Sequence, residues 1–126
     1  MSMRTPLGRV RGLGSARSGT DHFWKQRLTA VANVPLTIAF VLILLSLVGA
    51  DHATTVATLG SPLVAIAMLL FVLSGVIHMR IGMQVIIEDY LHNEGVKIAA
   101  LIANTFFAVL IGAAAIFAIL KMSFGA

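Results

Sequence analysis

Three long apolar runs alternate with short polar segments along the chain. The first covers residues 28–50 and the third residues 98–120, and neither contains a charged side chain. The middle run is free of charge from residue 52 until Arg80. If its helix begins at Pro62, crossing a bilayer takes about 20–25 residues and carries the helix to about residue 87. A helix of 23 residues rises roughly 34 Å, enough for a hydrocarbon layer of about 30 Å. We therefore predict an all-α membrane protein with three transmembrane helices.

The composition agrees with this prediction and excludes several other classes of protein. Hydrophobic residues make up 59% of the 126 residues and charged residues 11%, too few polar side chains for a water-facing surface. The absence of cysteine excludes a disulfide scaffold and rules out thiolate metal sites or iron–sulfur ligation within this chain. The chain lacks the strand-like alternation of apolar and polar residues that would indicate a transmembrane barrel. Residues 20–126 are predicted to form one three-span anchor domain.

The distribution of positive charge predicts the orientation in the membrane. Residues 80–97 carry two cations, and the opposite side of the membrane carries Lys121 alone. Six of the nine cations precede the first span: Arg4, Arg9, Arg11, Arg17, Lys25 and Arg27. Because Lys and Arg accumulate in cytoplasmic segments, we expect the N-terminus in the cytoplasm and the C-terminus outside. Residues 1–19 are predicted to be a flexible basic arm that contacts anionic lipid, and no nucleic acid is expected as a partner.

A cleaved signal peptide is the alternative interpretation of the N-terminal region, since a basic arm precedes an apolar run. The run at residues 28–50 is longer than the about 7–15 residues of a signal core, which favours a transmembrane helix. An obvious transit peptide is absent, so we expect a bacterial inner membrane. The arginine- and serine-rich, acid-poor arm keeps a mitochondrial inner membrane open.

The second span contains a histidine at membrane depth, where an ionisable side chain indicates a functional site by default. At 100° per residue, one helical stripe collects Phe71, Ser74, Gly75, His78, Gly82, Val85 and Asp89. The small residues beside the imidazole leave a trough that admits a neighbouring helix or a flat macrocycle. Three interpretations of His78 remain open: a hydrogen bond to another helix, a haem or metal ligand, and a proton relay. A six-coordinate haem would need its second ligand from another chain.

Three further residues have both a structural and a functional interpretation. Tyr90 ends the second helix either as an aromatic-belt residue or as a phenol that donates to a buried carbonyl. Asp89 either orients that phenol and passes protons or belongs to a solvated helix end. Arg27 is either a positive flank of the first span or the partner of a buried carboxylate. Arg80 lies about 200° from His78 on the helix and is not expected beside a ligand of that histidine.

The run from His78 to Tyr90 resembles the small hydrophobic anchor subunits of succinate dehydrogenase, respiratory complex II. It matches their His-x3-Gly-x6-Asp-Tyr pattern at the end of the second of three spans. A second, weaker similarity is the Trp24-x-x-Arg27-x-Thr29-Ala30 pattern at the start of the first span. Together with the length and the three-span layout, the resemblance covers nearly the whole chain.

The resemblance implies specific cofactors and partners. In that family two small anchor subunits hold one haem b and a ubiquinone site beneath a flavoprotein and an iron–sulfur subunit, which contain the FAD and the clusters. Carried over, His78 is an axial haem ligand, and the companion cytochrome b anchor subunit supplies the other. Tyr90 hydrogen-bonds ubiquinone with support from Asp89. Arg27 lies near a haem propionate, and His22 is a looser candidate for the same region.

The expected function is therefore to anchor a succinate:ubiquinone oxidoreductase of the respiratory chain and tricarboxylic acid cycle. The chain has no flavin motif, no cluster ligands and no complete haem site, so we expect it to be non-catalytic alone. The alternative is a non-redox small membrane scaffold or transporter accessory protein, in which His78 makes only a packing hydrogen bond.

Overall fold

The computed structural model describes residue 3 and residues 5–12 and 20–125, and within these ranges all regular structure is helical. The elements in chain order are α1 Pro6–Val10, α2 Asp21–Ser46, α3 His52–Gly60, α4 Pro62–Tyr90 and α5 Glu94–Ser123. Helices α2, α4 and α5 are each long and apolar enough to cross a membrane. The predicted all-α membrane fold with three spans is confirmed.

Helix α2 begins before the first apolar run and ends inside it. Its first turn contains Asp21, which suits the positive end of the helix dipole and forms an ion pair with Lys25 at 2.7 Å. The chain leaves the helix after Ser46, and Gly49 adopts the left-handed φ of 78°. The helix thus occupies residues 21–46, displaced towards the N-terminus from the predicted 28–50.

Most of residues 51–61, between the first and second spanning helices, form the short helix α3. Asp51 caps this helix, because its carboxylate accepts a hydrogen bond of 2.8 Å from the Thr54 backbone NH. Hydrogen bonding from Thr54, through its side chain and its backbone, holds the pKa of the Asp51 carboxyl below its usual value. A β-carbon at Gly60 would lie 2.5 Å from the Met122 carbonyl oxygen, so the absent side chain lets α3 pack against the end of α5.

The remaining helix boundaries follow their sequence signals. Pro62 is the first residue of α4, where its missing NH and fixed φ suit the first turn. Helix α4 ends at Tyr90, as predicted, and a loop of three residues that includes His92 leads to α5. The Asn93 side chain caps α5 by accepting a hydrogen bond of 3.1 Å from the Val96 NH.

Helix α4 lies in the middle of the spanning helices. Helices α2 and α5 both pack against α4, and they do not contact each other. On the α5 side the packing is close, because a β-carbon at Gly112 would lie only 3.6 Å from Val76 Cγ1. Asn104 of α5 donates a hydrogen bond of 2.9 Å to the Arg80 carbonyl oxygen. The stretch of α4 around Arg80 therefore faces α5.

Large apolar side chains cover the outer surfaces of the three long helices, with Ile38, Leu63 and Phe106 as exposed examples. A soluble protein rarely exposes such continuous apolar surface, whereas lipid or partner subunits in a membrane would cover it. In the predicted N-terminal arm, the described residues include α1, capped by Thr5. Residues 1, 2, 4 and 13–19 lie outside the described residues, so the flexibility of the arm stays a prediction.

Candidate functional site

Polar side chains meet inside the interface between α2 and α4. Thr29 Oγ1 of α2 lies 3.1 Å from His78 Nδ1 of α4. Ser74, one turn before His78, donates a hydrogen bond of 3.3 Å to the Thr29 carbonyl oxygen. Further along the interface, the rings of Phe40 and Phe71 stack with centroids 4.6 Å apart. The stripe predicted on the second span therefore faces α2.

His78 is half-buried and makes its hydrogen bond to another helix, so the interpretation as a packing hydrogen bond is correct for Nδ1. In the part of the chain that the structure describes, the other ring nitrogen, Nε2, has no hydrogen-bond partner. A neutral imidazole can bond through one nitrogen and ligate a metal through the other. The packing contact and a ligand role are therefore compatible in the same side chain.

The predicted trough of small residues is filled at one end and open at the other. A β-carbon at Gly82 would lie 3.4 Å from Gln26 Nε2, so the side chain of Gln26 occupies this end of the trough. A β-carbon at Gly75 would meet nothing within 4 Å. A flat ligand or a helix of another subunit can therefore approach α4 at Gly75, less than one turn from His78.

Arg27 and His22, which the resemblance placed together, line the same cavity of about 360 Å³ between α2 and α4. The other lining residues are Phe23, Gln26, Ile81 and Val85. The Arg27 guanidinium lies 5.0 Å from the centre of the Phe23 ring and forms no ion pair with a carboxylate of the described residues. Gln26 Oε1 is buried without a hydrogen-bond partner. This cavity therefore offers the Arg27 cation to an anionic ligand, whereas the unpartnered Gln26 oxygen can only accept a hydrogen bond from a donor.

Tyr90 and Asp89 lie at the C-terminal end of α4, away from His78. The helix rises about 18 Å over the twelve residues from His78 to Tyr90. Tyr90 is 76% exposed, and Asp89 is exposed as well. Within the described residues neither side chain forms a hydrogen bond or ion pair, whereas Glu88 accepts a hydrogen bond of 2.9 Å from Gln84. The phenol and its neighbouring carboxylate are thus available to a ligand or another subunit.

The sequence patterns did not single out Gln26 or Asn33, and Thr29 entered only as one position of the Trp24-x-x-Arg27-x-Thr29-Ala30 pattern. Gln26, Thr29 and Asn33 recur every three or four residues in the first span, the spacing of one helical face. This periodicity is the signal that could have identified them. Asn33 Oδ1, like Gln26 Oε1, is buried without a hydrogen-bond partner.

The described residues contain no group of three or more His, Cys, Asp and Glu side chains that could hold a metal ion by themselves. Fold and site define a three-span helical membrane protein with a polar cluster at the interface of its first two spans.

Comparison with known proteins identifies the family. Residues 1–112 match the family described as succinate dehydrogenase/fumarate reductase transmembrane subunit. A succinate dehydrogenase hydrophobic membrane anchor subunit from Paracoccus denitrificans is 35% identical over 122 residues, which cover 97% of this chain and 94% of the relative. The chain therefore belongs to the succinate dehydrogenase/fumarate reductase transmembrane subunit family, as the sequence motifs predicted.

Two further relatives agree with this assignment. A succinate dehydrogenase hydrophobic membrane anchor subunit from Rickettsia bellii (strain RML369-C) is 30% identical over 107 residues, covering 85% of this chain and 86% of the relative. A succinate dehydrogenase membrane anchor subunit from Reclinomonas americana is 30% identical over 88 residues, covering 68% and 73%. No solved structure matches the chain significantly. These relatives support the same family assignment, that of succinate dehydrogenase membrane anchor subunits.

Proposed function

We propose that this chain supplies one axial ligand of a haem b shared with a companion cytochrome b anchor subunit, and part of a ubiquinone-reduction site. The haem proposal rests on the hydrogen bonding of the two ring nitrogens of His78. Its ring is fixed through Nδ1 to a neighbouring helix, and Nε2 has no partner in the described residues. An imidazole with one free nitrogen is the donor that a b-type haem requires.

The surroundings of His78 also fit the group. The open surface at Gly75 leaves room beside the helix backbone. Arg27, with His22 as a weaker candidate, lines the cavity between α2 and α4, where its guanidinium can bind a propionate carboxylate. When bound, the haem supplies reversible one-electron transfer, while the protein orients it and sets its electrostatic environment.

Tyr90 and Asp89 support the quinone part of the proposal. Reduction of a quinone to a quinol takes two electrons and two protons, so the site needs a hydrogen-bond donor for a carbonyl oxygen and a source of protons. The Tyr90 phenol can donate to that oxygen, and the adjacent Asp89 can pass protons from the aqueous side. Both side chains are exposed at the end of α4, where another subunit can complete the site.

The proposal extends to partners and orientation. A flavoprotein with FAD and an iron–sulfur subunit with its clusters would dock on the side that carries Tyr90. The charge distribution supports a cytoplasmic N-terminus in a bacterial inner membrane. We expect a reporter fused to the C-terminus to face outside. A reporter found on the cytoplasmic side would contradict both the proposed orientation and the proposed placement of the quinone site.

The experiment that tests the haem proposal is a reduced-minus-oxidised optical spectrum of the purified complex. We expect a b-type signal that disappears in His78→Ala, because the iron loses a ligand. His92→Ala, in the loop between α4 and α5, is the matched control and should keep the signal. A signal that survives in His78→Ala would remove this residue from the haem site. Absence of haem from every assembly that co-purifies would instead favour a non-redox scaffold.

The quinone proposal is tested by Tyr90→Phe, which removes one hydroxyl and keeps the ring. Loss of one hydrogen bond of about 1 kcal/mol should lower quinone reductase activity about fivefold. Assembly and the activity with an artificial electron acceptor should persist, because the catalytic subunits are unchanged. Unaltered quinone kinetics would show that Tyr90 does not contact the substrate.

A further inference from the structure

The hydroxyl of Thr29 contacts three polar atoms, one of which is the ring nitrogen Nδ1 of His78. Thr29 Oγ1 is 2.7 Å from the Lys25 carbonyl oxygen, 3.1 Å from the Gln26 carbonyl oxygen and 3.1 Å from His78 Nδ1. The two carbonyl oxygens can only accept hydrogen bonds, whereas the ring nitrogen can donate or accept. The hydroxyl has a single proton to share among the three neighbours.

The short distance to Lys25 decides where that proton lies. If Thr29 donated to His78 Nδ1 instead, two oxygen atoms would face each other at 2.7 Å without a proton between them. A threonine hydroxyl in a helix commonly donates to the carbonyl four residues earlier. Thr29 therefore donates to the Lys25 carbonyl and accepts a hydrogen bond from His78, so Nδ1 of the ring carries the proton.

This arrangement has a direct consequence for the other ring nitrogen. A neutral imidazole with its proton on Nδ1 presents the lone pair on Nε2, the atom that has no partner in the described residues. The hydrogen bond also fixes the orientation of the ring, and the Ser74 contact to the Thr29 carbonyl holds the two helices in register. A hydrogen bond from the distal nitrogen makes an imidazole a stronger electron donor to a bound metal.

We propose that Thr29 is a positioning residue that holds His78 in the Nδ1-protonated tautomer and aims Nε2 at the haem iron. This inference rests on the proposed haem function and deepens it, since it names the group in this chain that prepares the ligand. Thr29 itself touches neither the iron nor the quinone in this assignment.

The test compares three variants of the intact complex. Thr29→Val keeps the shape of the side chain and removes the acceptor, while Thr29→Ser keeps the hydroxyl. Thr37→Val makes the same replacement at an exposed position two turns further along α2 and is the matched control. The measurements are the amount of haem per complex, its dissociation rate in detergent, the haem midpoint potential, and the amount of assembled complex by gel filtration.

We expect Thr29→Val to retain haem about tenfold less tightly. Loss of a group that hydrogen-bonds to a metal ligand and orients it typically weakens metal binding by at least about that factor. The midpoint potential should become more positive, since a weaker imidazole donor stabilises ferric iron less. Thr29→Ser and Thr37→Val should resemble the unchanged complex in both properties. A purely structural role would lower the yield of complex without moving the potential.

The outcomes separate this inference from the function on which it rests. Unchanged haem retention and potential in Thr29→Val would overturn the role of Thr29, if His78→Ala still abolishes the haem signal. If His78→Ala keeps the signal, the haem proposal itself fails and the inference with it. A potential that shifts equally in Thr29→Val and Thr29→Ser would also contradict a role for the hydroxyl.

Discussion

The two faces of α4 differ in the kind of contact that they make. The face towards α5 is packed through small and apolar residues, with Gly112 against Val76 and Ala108 only 1% exposed. The face towards α2 contains a polar cluster around Thr29 and His78, and two α2 side chains, Gln26 and Asn33, leave buried oxygen atoms unpartnered. Close packing thus dominates the face towards α5 and polar groups dominate the face towards α2, although Arg80 Nε of α4 is also buried without a partner.

In this chain, which has few polar residues, close helix packing and the polar groups of the candidate site therefore lie mainly on different faces of α4. In a membrane, close approach of helices depends on small residues and van der Waals contact, which the α4–α5 face provides. Buried polar groups without partners cost free energy, so natural proteins rarely retain them without a role. We therefore expect substitutions on the α5 side to affect assembly and those on the α2 side to affect the cofactor.

The largest effect is expected for Gly112→Leu. The new side chain would extend into Val76, since a β-carbon alone would already lie 3.6 Å from it, and overpacking of this kind costs about 1–3 kcal/mol. We expect a lower Tm and a lower yield of the complex in detergent. Ala114→Leu, on an exposed face of the same helix, is the control. Equal losses in both variants would show that α4 does not determine the effect at Gly112.

An effect of comparable size, on the cofactor and not on assembly, is expected for Arg27→Gln. The variant removes the cation of the α2–α4 cavity, and a charge-assisted hydrogen bond contributes about 1.5–3 kcal/mol. We expect haem to dissociate about tenfold faster, measured by loss of the b-type absorbance. Lys25→Gln, which removes an exposed cation paired with Asp21, should change this rate little. A rate that is the same in both variants would place the propionates elsewhere.

The smallest effect is expected for Asn104→Ala on the α5 side. Its hydrogen bond to the Arg80 carbonyl is one interhelical contact in a membrane protein, worth about 0.6 kcal/mol. We expect a slightly lower Tm with an unchanged haem spectrum and potential. Loss of haem in this variant would break the distinction between the two faces, because it would couple the α5 side to the cofactor.

Much of the architecture could be predicted from the pattern of apolar residues. Spanning helices require about 20 apolar residues, so the three runs indicate three spans, and Pro62 marks the start of α4. The exact ends could not be read in the same way. The apolar run extends to residue 50, but the helix stops at Ser46, because turn geometry and capping at Gly49 and Asp51 compete with hydropathy. Capping by Asp51 also starts α3 in the segment between the first two spanning helices.

The candidate site could be predicted in part. A histidine within an apolar span is conspicuous because burial of an ionisable group is costly. Arg27 and His22 line one cavity, and their place beside a haem propionate stays a prediction. The role of Thr29 could not be predicted from residue type, because threonine is common in helices and usually bonds to its own backbone. Only the position of α2 against α4 brings its hydroxyl to the imidazole.

The sequence by itself determined the number of spans, the chemistry of the groups placed in them and membership of the family, because hydropathy and motif spacing are local properties of the chain. The tertiary structure decided which helix covers the small-residue stripe and which nitrogen of His78 is engaged. Those outcomes depend on contacts between residues 49 positions apart in the chain. The register of two packed helices sets such contacts, and no local pattern in either helix contains that register.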